Sequence, residues 1–187
     1  MPYRRGFRSE AESLATDLRA EIHVRNIDAI DVLALASHLE VPVRPISWLR
    51  QLDTGEIAEA VDVLRGPECS AFSAMTVFFG PRRVVVHNDA HVEVRQSSNI
   101  AHELAHAVLL HTATPAIDDR GCRNWNGDIE AEASFLGGAI LLPKVSCYWI
   151  VKRGIALDEA ARRFCISTEM VQWRLNMTGA ERLRRAG

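Results

Sequence analysis

The sequence predicts an α+β protein with a mostly helical core, a small antiparallel hairpin and a C-terminal helix-turn-helix-like unit. Several long stretches carry apolar residues at helical spacing, which indicates amphipathic helices. Residues 71–79 and 82–87 are strand-like runs on either side of a Gly80-Pro81 turn signal. Two short helical patterns, separated by a turn, follow each other between residues 157 and 175.

Two amphipathic helices and an edge strand are predicted before the hairpin. Apolar residues at helical spacing mark one helix over residues 11–22 and a second over 30–39, with Asp28 as the predicted start of the second. Residues 41–46 are rich in β-branched side chains but contain two prolines, which favours an edge strand or an extended connection. Residues 57–64 return to helical spacing.

Two core helices are predicted after the hairpin. One spans roughly residues 97–111, and the cluster Ser97-Ser98-Asn99 offers good capping residues for its start. The other spans roughly residues 128–142 and ends before Pro143, which cannot continue a helix interior. Its middle holds Gly137-Gly138, although glycine costs about 1 kcal/mol relative to alanine in a helix. This pair predicts the close approach of another helix, for which the first of the two is the obvious neighbour.

The bulk composition is that of a globular protein without a dominant charge. The 187 residues are 48% hydrophobic and 25% charged, and 22 Lys and Arg face 24 Asp and Glu. This balance gives no bulk reason to expect nucleic-acid binding. The length suits a main domain at residues 1–150 and a C-terminal subdomain with a basic tail at 151–187. The arginines at the two ends are interpreted as solvated tails: Arg4, Arg5, Arg8, Arg182, Arg184 and Arg185.

The sequence shows neither a targeting segment nor a membrane segment. No apolar run follows the N-terminal arginines, and no run approaches the ~18 consecutive apolar residues of a membrane span. We therefore expect a cytoplasmic protein that makes no membrane contact. The cysteines form no Cys-x-x-Cys pair and are expected to be free thiols: Cys69, Cys122, Cys147 and Cys165.

The run His102-Glu103-Leu104-Ala105-His106 predicts a zinc site. Histidines four residues apart lie on one face of a helix, so both imidazoles can bind one zinc ion. Glu103 lies beside them and is the predicted general base that takes a proton from water. The alternative is that two histidines share a helix by chance. Burying three such side chains among small apolar residues without a metal would cost several kcal/mol, which argues against that alternative.

A catalytic zinc site usually has three protein ligands, so a third ligand must lie elsewhere in the sequence. The next predicted helix offers Glu130 and Glu132, which point to nearly opposite faces, so at most one of them can reach the metal. Spacing alone leaves both open. Cys122 is a further alternative, in a polar loop at residues 114–126 that we expect to form part of the cleft wall.

These two signatures together resemble the ImmA/IrrE-type zinc metallopeptidases, over roughly residues 10–178. That family pairs a His-Glu-x-x-His helix with a Glu-led helix that closes on a Leu-Leu-x-Pro or similar end. The second signature here runs from Glu130 to Leu141-Leu142-Pro143. The family's glutamate ligand precedes that proline by the distance that separates Glu130 from Pro143, so the resemblance carries the third ligand role to Glu130.

Some positions depart from the family pattern, and one further position matches it. Ser134 stands where members usually have asparagine, and Gly137-Gly138 stands where alanines are usual. Arg95, just before the predicted zinc helix, is similar to the family's basic position there. The departures bear on how the two helices pack more than on the chemistry of the site.

The resemblance implies a zincin-like core and an intracellular endopeptidase that uses Zn²⁺. Members cleave a helix-turn-helix repressor, often encoded alongside, and so relieve repression after stress. With His102, His106 and Glu130 as ligands and Glu103 as base, Glu103→Gln is expected to keep zinc and lose cleavage. A further group should stabilise the oxyanion. The sequence leaves four candidates unassigned: Tyr148, His111, His91 and Arg123.

The C-terminal helical pair allows a second class of function. Thr168, Gln172 and Arg174 would be the DNA-contacting residues of a recognition helix. Arg174 is the only cation in that helix, whereas a major-groove reader normally carries more positive charge. We therefore favour a structural or partner-docking role for this unit. The alternative to a peptidase is a DNA-binding or partner-binding regulator that uses a peptidase-like scaffold without cleavage.

Overall fold

Helices make up most of the chain, and one small sheet lies among them. The computed structural model describes residues 3–52, 55–66, 72–80, 82–111 and 126–186. Its helices are α1 (Phe7–Glu21), α2 (Val32–His38), α3 (Gly55–Arg65), α4 (Glu93–Val108), α5 (Gly127–Leu141), α6 (Lys144–Lys152), α7 (Leu157–Phe164), α8 (Thr168–Thr178) and α9 (Ala180–Ala186). Its strands are β1 (Val43–Pro45), β2 (Ala74–Phe79) and β3 (Arg82–His87), and a 3₁₀ helix (Ile46–Leu52) follows β1. The predicted α+β class is confirmed.

The sheet is mixed, with the strand order β1-β3-β2. Strands β2 and β3 form the predicted antiparallel hairpin, with Gly80 at a φ of +60° in its turn. The sheet as a whole is not antiparallel, as the predicted hairpin is, because β1 pairs with β3 in parallel. The connection between them contains the 3₁₀ helix, α3 and β2, which is long enough to return the chain in the same direction. Strand β1 lies at the edge, as its prolines predict.

The two faces of the sheet pack against different helices. Side chains alternate along a strand, so Val85 and Val86 of β3 face opposite sides. Val85 belongs to the main hydrophobic core, which it shares with α1, α4 and α5. Val86 packs instead with Ile46 of the 3₁₀ helix and Val61 of α3. Thr76 of β2 is the cross-strand partner of Val85 and therefore lies on the same face of the sheet as Val85. Strand β2 also contacts α4.

The two adjacent glycines of α5 allow close contact with two different helices. A Cβ atom on Gly137 would lie 3.1 Å from the backbone of Ala101 and His102 in α4, as the sequence predicts for this pair. A Cβ atom on Gly138 would instead overlap the ring of Trp173 in α8. The prediction that α4 is the neighbour therefore holds for Gly137, whereas Gly138 lies against the C-terminal helices.

Helix α4 begins one turn earlier than the sequence predicts. Its N-cap residue is Val92, which makes no side-chain capping bond, so Ser97-Ser98-Asn99 lies inside the helix and the capping prediction is wrong. The extra turn carries Gln96, whose amide donates to the carbonyl oxygen of His91 at 2.6 Å and ties the helix start to the preceding turn. Arg95 consequently lies within the first turn of α4, where it donates to Ser73. Local propensity is a weak influence that such contacts outweigh.

Helix α2 also begins at a different residue from the predicted one. Asp31 is its N-cap, and the Asp31 carboxylate accepts hydrogen bonds from the backbone N–H groups of Leu33 and Ala34. Asp28, the predicted start, pairs with the guanidinium of Arg25 at 2.6 Å. Aspartate is a suitable cap at either position, so residue type alone could not choose between Asp28 and Asp31.

Helices α7 and α8 occupy the predicted positions of the C-terminal helical pair. The turn between them contains Cys165 at a φ of +53°, in the left-handed region that favours glycine. Ser167 caps α8 by accepting a hydrogen bond from the N–H of Met170. These contacts describe two consecutive capped helices, and the helix-turn-helix assignment stays a prediction.

Arg174 is not available to contact DNA, which removes it from the three residues that a recognition helix would use. Its side chain is fully buried, because α8 turns this face towards α1 and the end of α5. The guanidinium donates from Nε to the carbonyl oxygen of Leu142 at 2.9 Å and from Nη2 to Glu12 at 2.6 Å. It is therefore a structural contact between the C-terminal helices and the rest of the chain.

The N-terminal arginines are exposed, as predicted, but they are held by neighbouring side chains. Arg4 forms an ion pair with Glu10 at 2.7 Å, and the Arg8 guanidinium lies 5.4 Å from the ring centroid of Phe135. Arg182 is exposed in α9, and the side chains of Arg184 and Arg185 lie outside the described part of the chain, as do the cysteines at positions 69 and 122. Of the described cysteines, Cys147 is buried and Cys165 is exposed, and both are free.

The described helices are at most 16 residues long, whereas a membrane-spanning helix needs about 20 residues. None of them is long and apolar enough to cross a bilayer by itself. The criteria of length and composition are met only by α5 and α6 taken together, across a bend of 51°.

Candidate metal centre

Helix α4 brings the two histidines of the motif together on one face. The Nε2 atoms of His102 and His106 are 3.1 Å apart, and the ring centroids are 4.8 Å apart. Ile100, Ala101, Leu104 and Ala105 on the other faces of α4 are buried in the core. This burial fixes the rotation of the helix, so the two imidazoles point together towards α5.

Glu130, in the first turn of α5, completes the cluster. One carboxylate oxygen lies 3.2 Å from His102 Nε2 and the other lies 3.7 Å from His106 Nε2. Glu132, which spacing alone left open, points elsewhere and lies 3.7 Å from His111 Nε2. Of the two glutamates, the structure therefore brings Glu130 to the imidazoles. The other alternative, the cysteine at position 122, lies outside the described residues, as does all but the last residue of the loop at 114–126 that was predicted to line the cleft.

The arrangement of these three side chains fits a small divalent cation. One donor atom from each of His102, His106 and Glu130 lies within 4.8 Å of the others. Zinc binds imidazole nitrogen and carboxylate oxygen at about 2.0–2.2 Å, so neighbouring donors of a tetrahedral site are about 3.3 Å apart. The distances of 3.1 Å between the two Nε2 atoms and 3.2 Å from His102 Nε2 to Oε2 of Glu130 are close to that value, and Oε1 of Glu130 lies 3.7 Å from His106 Nε2.

Burial keeps the His106 imidazole in the form that a metal requires. Burial is the main cause that lowers the pKa of His106 to about 3, and the adjacent His102 and His111 lower it further. The ring is therefore neutral at physiological pH, and a neutral imidazole has the free lone pair that a metal ligand needs.

Glu103 lies next to this cluster, and its side chain contacts strand β2. Its Oε2 accepts a hydrogen bond from the Thr76 hydroxyl at 2.6 Å. Burial raises the pKa of the Glu103 carboxyl, and the hydrogen bond from Thr76 acts in the opposite direction by favouring the charged form. A carboxyl group with a raised pKa beside a metal site is suited to general acid–base work near neutral pH.

Two side-chain contacts at this site, made by Thr76 and Ser134, were not predicted from the sequence. Thr76 had no motif of its own, although strand alternation places it on the same side of the sheet as Val85. The Ser134 hydroxyl lies 3.4 Å from His102 Nδ1. Because Ser134 is one helical turn beyond Glu130, its place on the same face was available from helix periodicity.

The described candidates for oxyanion stabilisation make contacts other than with the open side of the metal cluster. The Tyr148 hydroxyl donates to the backbone carbonyl of Thr178. His111 contacts the Nδ1 atom of His106, on the opposite side of the ring from the donor atom Nε2. His91 contributes its backbone carbonyl to the start of α4, and the arginine at position 123 lies outside the described residues.

A family model described as the IrrE N-terminal-like domain, of the peptidase M78 family, matches residues 68–176, more than half of the chain. The chain belongs to this IrrE-like family. The predicted family is thereby confirmed, and the matched segment contains His102, Glu103, His106 and Glu130. A peptidase M78 domain implies a bound metal, and the cluster described above is a possible site for it.

The IrrE-like chain also resembles a solved structure of a Mycobacterium tuberculosis transcriptional regulator. The likeness covers 92% of this chain and 47% of that one, with a TM-score of 0.50 and 16% sequence identity. This chain thus spans about half the length of that structure, and the likeness concerns the fold. No curated protein sequence matches the chain.

Proposed function

We propose that this chain is a zinc-dependent endopeptidase of the IrrE-like family. Its metal ligands are His102, His106 and Glu130, and Glu103 is its general base. The observation that carries the proposal is the convergence of three donor atoms within 4.8 Å, next to a partly buried carboxyl group. Three protein ligands leave one coordination position open, which is typical of catalytic rather than structural zinc sites.

The reaction follows from the positions of the side chains. When bound to these ligands, zinc supplies the Lewis acidity that polarises a peptide carbonyl and acidifies water. Glu103 removes the proton from the attacking water and then donates it to the leaving amine. Thr76 holds Oε2 of Glu103 and so restricts the rotamer of the base. Buried residues of α4 and α5 keep the ligands in place.

Strand β2 offers a surface along which a peptide substrate would lie. Among the described strands it pairs only with β3, so within the described part of the chain its other edge has no strand partner. An extended peptide can add to such an edge through main-chain hydrogen bonds. Because Thr76 is in β2 and contacts Glu103, a peptide on this edge passes next to the base.

For the substrate we propose a helix-turn-helix transcriptional repressor, cleaved in the cytoplasm to relieve repression. The support is the family to which the chain belongs and its resemblance in fold to a transcriptional regulator. A DNA-binding role receives less support. The described exposed positions of α8 are Thr168, Glu169 and Asn176, and the cation of this helix, Arg174, is buried. We propose that residues 151–187 form a subdomain that packs on the 1–150 domain, with a structural or partner-docking role.

The test is incubation of the purified protein with the repressor encoded next to it. We expect a cut product in the presence of zinc, no product after chelation, and recovery when zinc is restored. Glu103→Gln should bind zinc normally and leave the repressor intact. Cleavage by Glu103→Gln at the wild-type rate would contradict the assignment of the base. An uncut repressor in the presence of the zinc-loaded wild type would favour a regulator that acts without cleavage.

A further inference from the structure

The turn that ends α4 brings a third histidine against the metal cluster. Leu110 adopts a φ of +54°, and its N–H donates to the carbonyl of Ala107 while the N–H of His111 donates to the carbonyl of His106. These two bonds define a Schellman motif, in which the second residue beyond the helix normally makes an apolar contact with the last turn. Here that contact is between two imidazoles, His111 and His106, with ring centroids 5.0 Å apart.

The left-handed residue of this turn is not a glycine. A left-handed conformation costs about 1–2 kcal/mol for residues other than glycine. Leu110 is nevertheless 76% exposed, so its side chain gains little from burial in return. The conformation instead folds the chain back and places His111 directly over the last turn of α4.

The contact between the two rings is a hydrogen bond between side-chain nitrogens. The Nδ1 atoms of His106 and His111 are 2.9 Å apart, so one must donate and the other must accept. The other nitrogen of His106, Nε2, points at His102 and Glu130. If His106 donates from Nδ1, its Nε2 keeps a free lone pair directed at the metal position.

Glu132 determines which ring donates. Its Oε2 lies 3.7 Å from His111 Nε2, too long for a full hydrogen bond but close enough for its charge to favour a proton on that nitrogen. The His111 and Glu132 side chains are only 11% and 15% exposed, so water screens this interaction weakly. With its proton on Nε2, neutral His111 has a bare Nδ1, which accepts the hydrogen bond from His106.

We propose that His111, oriented by Glu132, is a positioning residue that holds His106 in the Nδ1–H tautomer required for zinc binding through Nε2. The proposal rests on the metal site of the proposed function and gives a role to the glutamate that is not a ligand. Histidines that bind metals commonly donate their second N–H to such an outer partner, and loss of the partner typically weakens metal affinity by about 10- to 100-fold. Ser134 occupies the equivalent place beside Nδ1 of His102.

The test compares two substitutions at position 111. His111→Leu removes the acceptor, whereas His111→Asn places an amide oxygen near the position of Nδ1 and loses the contact with Glu132. Zinc affinity is measured by competition with a chromogenic chelator. We expect about a 10- to 100-fold loss for His111→Leu and a recovery of most of that loss for His111→Asn. Equal affinities of wild type and His111→Leu, or equal losses for the two variants, would overturn the proposal.

A histidine remote from the site provides the matched control. His38 pairs with Glu21 on the surface at 2.8 Å, and His38→Leu should leave zinc affinity at the wild-type value. Thermal unfolding of the metal-free variants separates a loss of affinity from a loss of folding. If His111→Leu does not fold, the comparison of zinc affinity between His111→Asn and the wild type still tests the proposal. The proposal then requires near-wild-type affinity for His111→Asn, and an affinity at least tenfold weaker would overturn it.

The tautomer is measured directly, without zinc or substrate. Long-range ¹H–¹⁵N correlation spectra of the metal-free protein distinguish a proton on Nδ1 from one on Nε2. We expect His106 to carry its proton on Nδ1 in the wild type and to become a mixture of tautomers in His111→Leu. A proton on Nε2 of His106 in the wild type would overturn the proposal. A wild type that binds no zinc would contradict the proposed function, while this spectrum would still test the role of His111.

Discussion

Substitution of Gly137 by alanine tests whether the close contact between α4 and α5 shapes the metal centre. The new Cβ atom would lie 3.1 Å from the carbonyl oxygen of Ala101 and from the backbone nitrogen and Cα of His102. These neighbours are helical backbone atoms that no rotamer change can move. Ordinary contacts are about 3.5–4.0 Å, so the two helices must separate by several tenths of an ångström. The backbone of His102 then moves away from Glu130.

The expected magnitudes follow from two opposing effects. Alanine improves helix propensity by about 1 kcal/mol over glycine. Overpacking in a well-packed core costs about 1–3 kcal/mol. The net loss of stability is therefore about 0–2 kcal/mol, small enough for Gly137→Ala to fold. Zinc affinity should be affected more strongly than stability, because a metal site tolerates donor displacements of only about 0.2 Å. We expect the zinc affinity to fall by about tenfold or more, as it does when a supporting group of a metal site is lost.

The neighbouring glycine provides a matched control for this experiment. Gly138→Ala changes the same helix by the same group, but its Cβ meets the side chains of Trp173 and Arg174 instead of α4. It should lower the stability measured by urea unfolding and leave zinc affinity, measured by chelator competition, near the wild-type value. If Gly137→Ala and Gly138→Ala bound zinc equally tightly, the contact between α4 and α5 would not shape the site.

Three other predictions concern groups whose burial or hydrogen bonding is unusual. Arg174→Met removes one partner of a buried ion pair and should lower the free energy of unfolding in urea by about 3–5 kcal/mol. Thr76→Val removes a hydrogen bond that favours the charged form of Glu103, so the pKa of that carboxyl should rise. The acid limb of the cleavage pH profile should therefore move about one pH unit higher. Thr76→Ser keeps the hydroxyl and should keep the wild-type profile. Burial raises the pKa of Cys147 to about 11, so iodoacetamide at pH 8 should label exposed Cys165 and leave Cys147 unlabelled in peptide maps of the native protein.

Each of these predictions has its own control. Arg162→Met breaks an exposed ion pair with Asp158 and should leave the free energy of unfolding nearly unchanged, so similar losses for the two arginine variants would contradict the importance of the buried pair. Identical pH profiles for Thr76→Val and Thr76→Ser would show that the hydroxyl does not act on Glu103. Unfolding in urea should make Cys147 reactive, and rapid labelling of this thiol in the folded protein would contradict its burial.

The residues at the centre of the candidate site could be selected from the sequence because their placement depends on helix periodicity. Histidines four residues apart share a face in any helix, and the apolar residues around them indicate that the helix is buried. The choice between Glu130 and Glu132 needed more than periodicity, because either could face the metal. The resemblance to a family favoured Glu130, and the structure places it beside the imidazoles. The ligand roles themselves stay predictions.

Contacts between distant segments are what the sequence could not predict. Arg174 looked like a recognition-helix cation, and nothing local indicates that its partner is Glu12, at the other end of the chain. Arg19 is likewise fully buried, where it donates to the carbonyl oxygen of Ile140 at 2.7 Å. The start of α4 was misplaced because Ser97-Ser98-Asn99 has strong local capping propensity, whereas contacts of the preceding turn determine the true start.

Diffraction from zinc-soaked crystals, recorded above and below the zinc absorption edge, tests the metal centre most directly. We expect one anomalous peak per chain, about 2.0–2.2 Å from Nε2 of His102, Nε2 of His106 and the carboxylate of Glu130. An empty position between these three side chains, or a zinc ion held by other residues of the chain, would contradict the assignment.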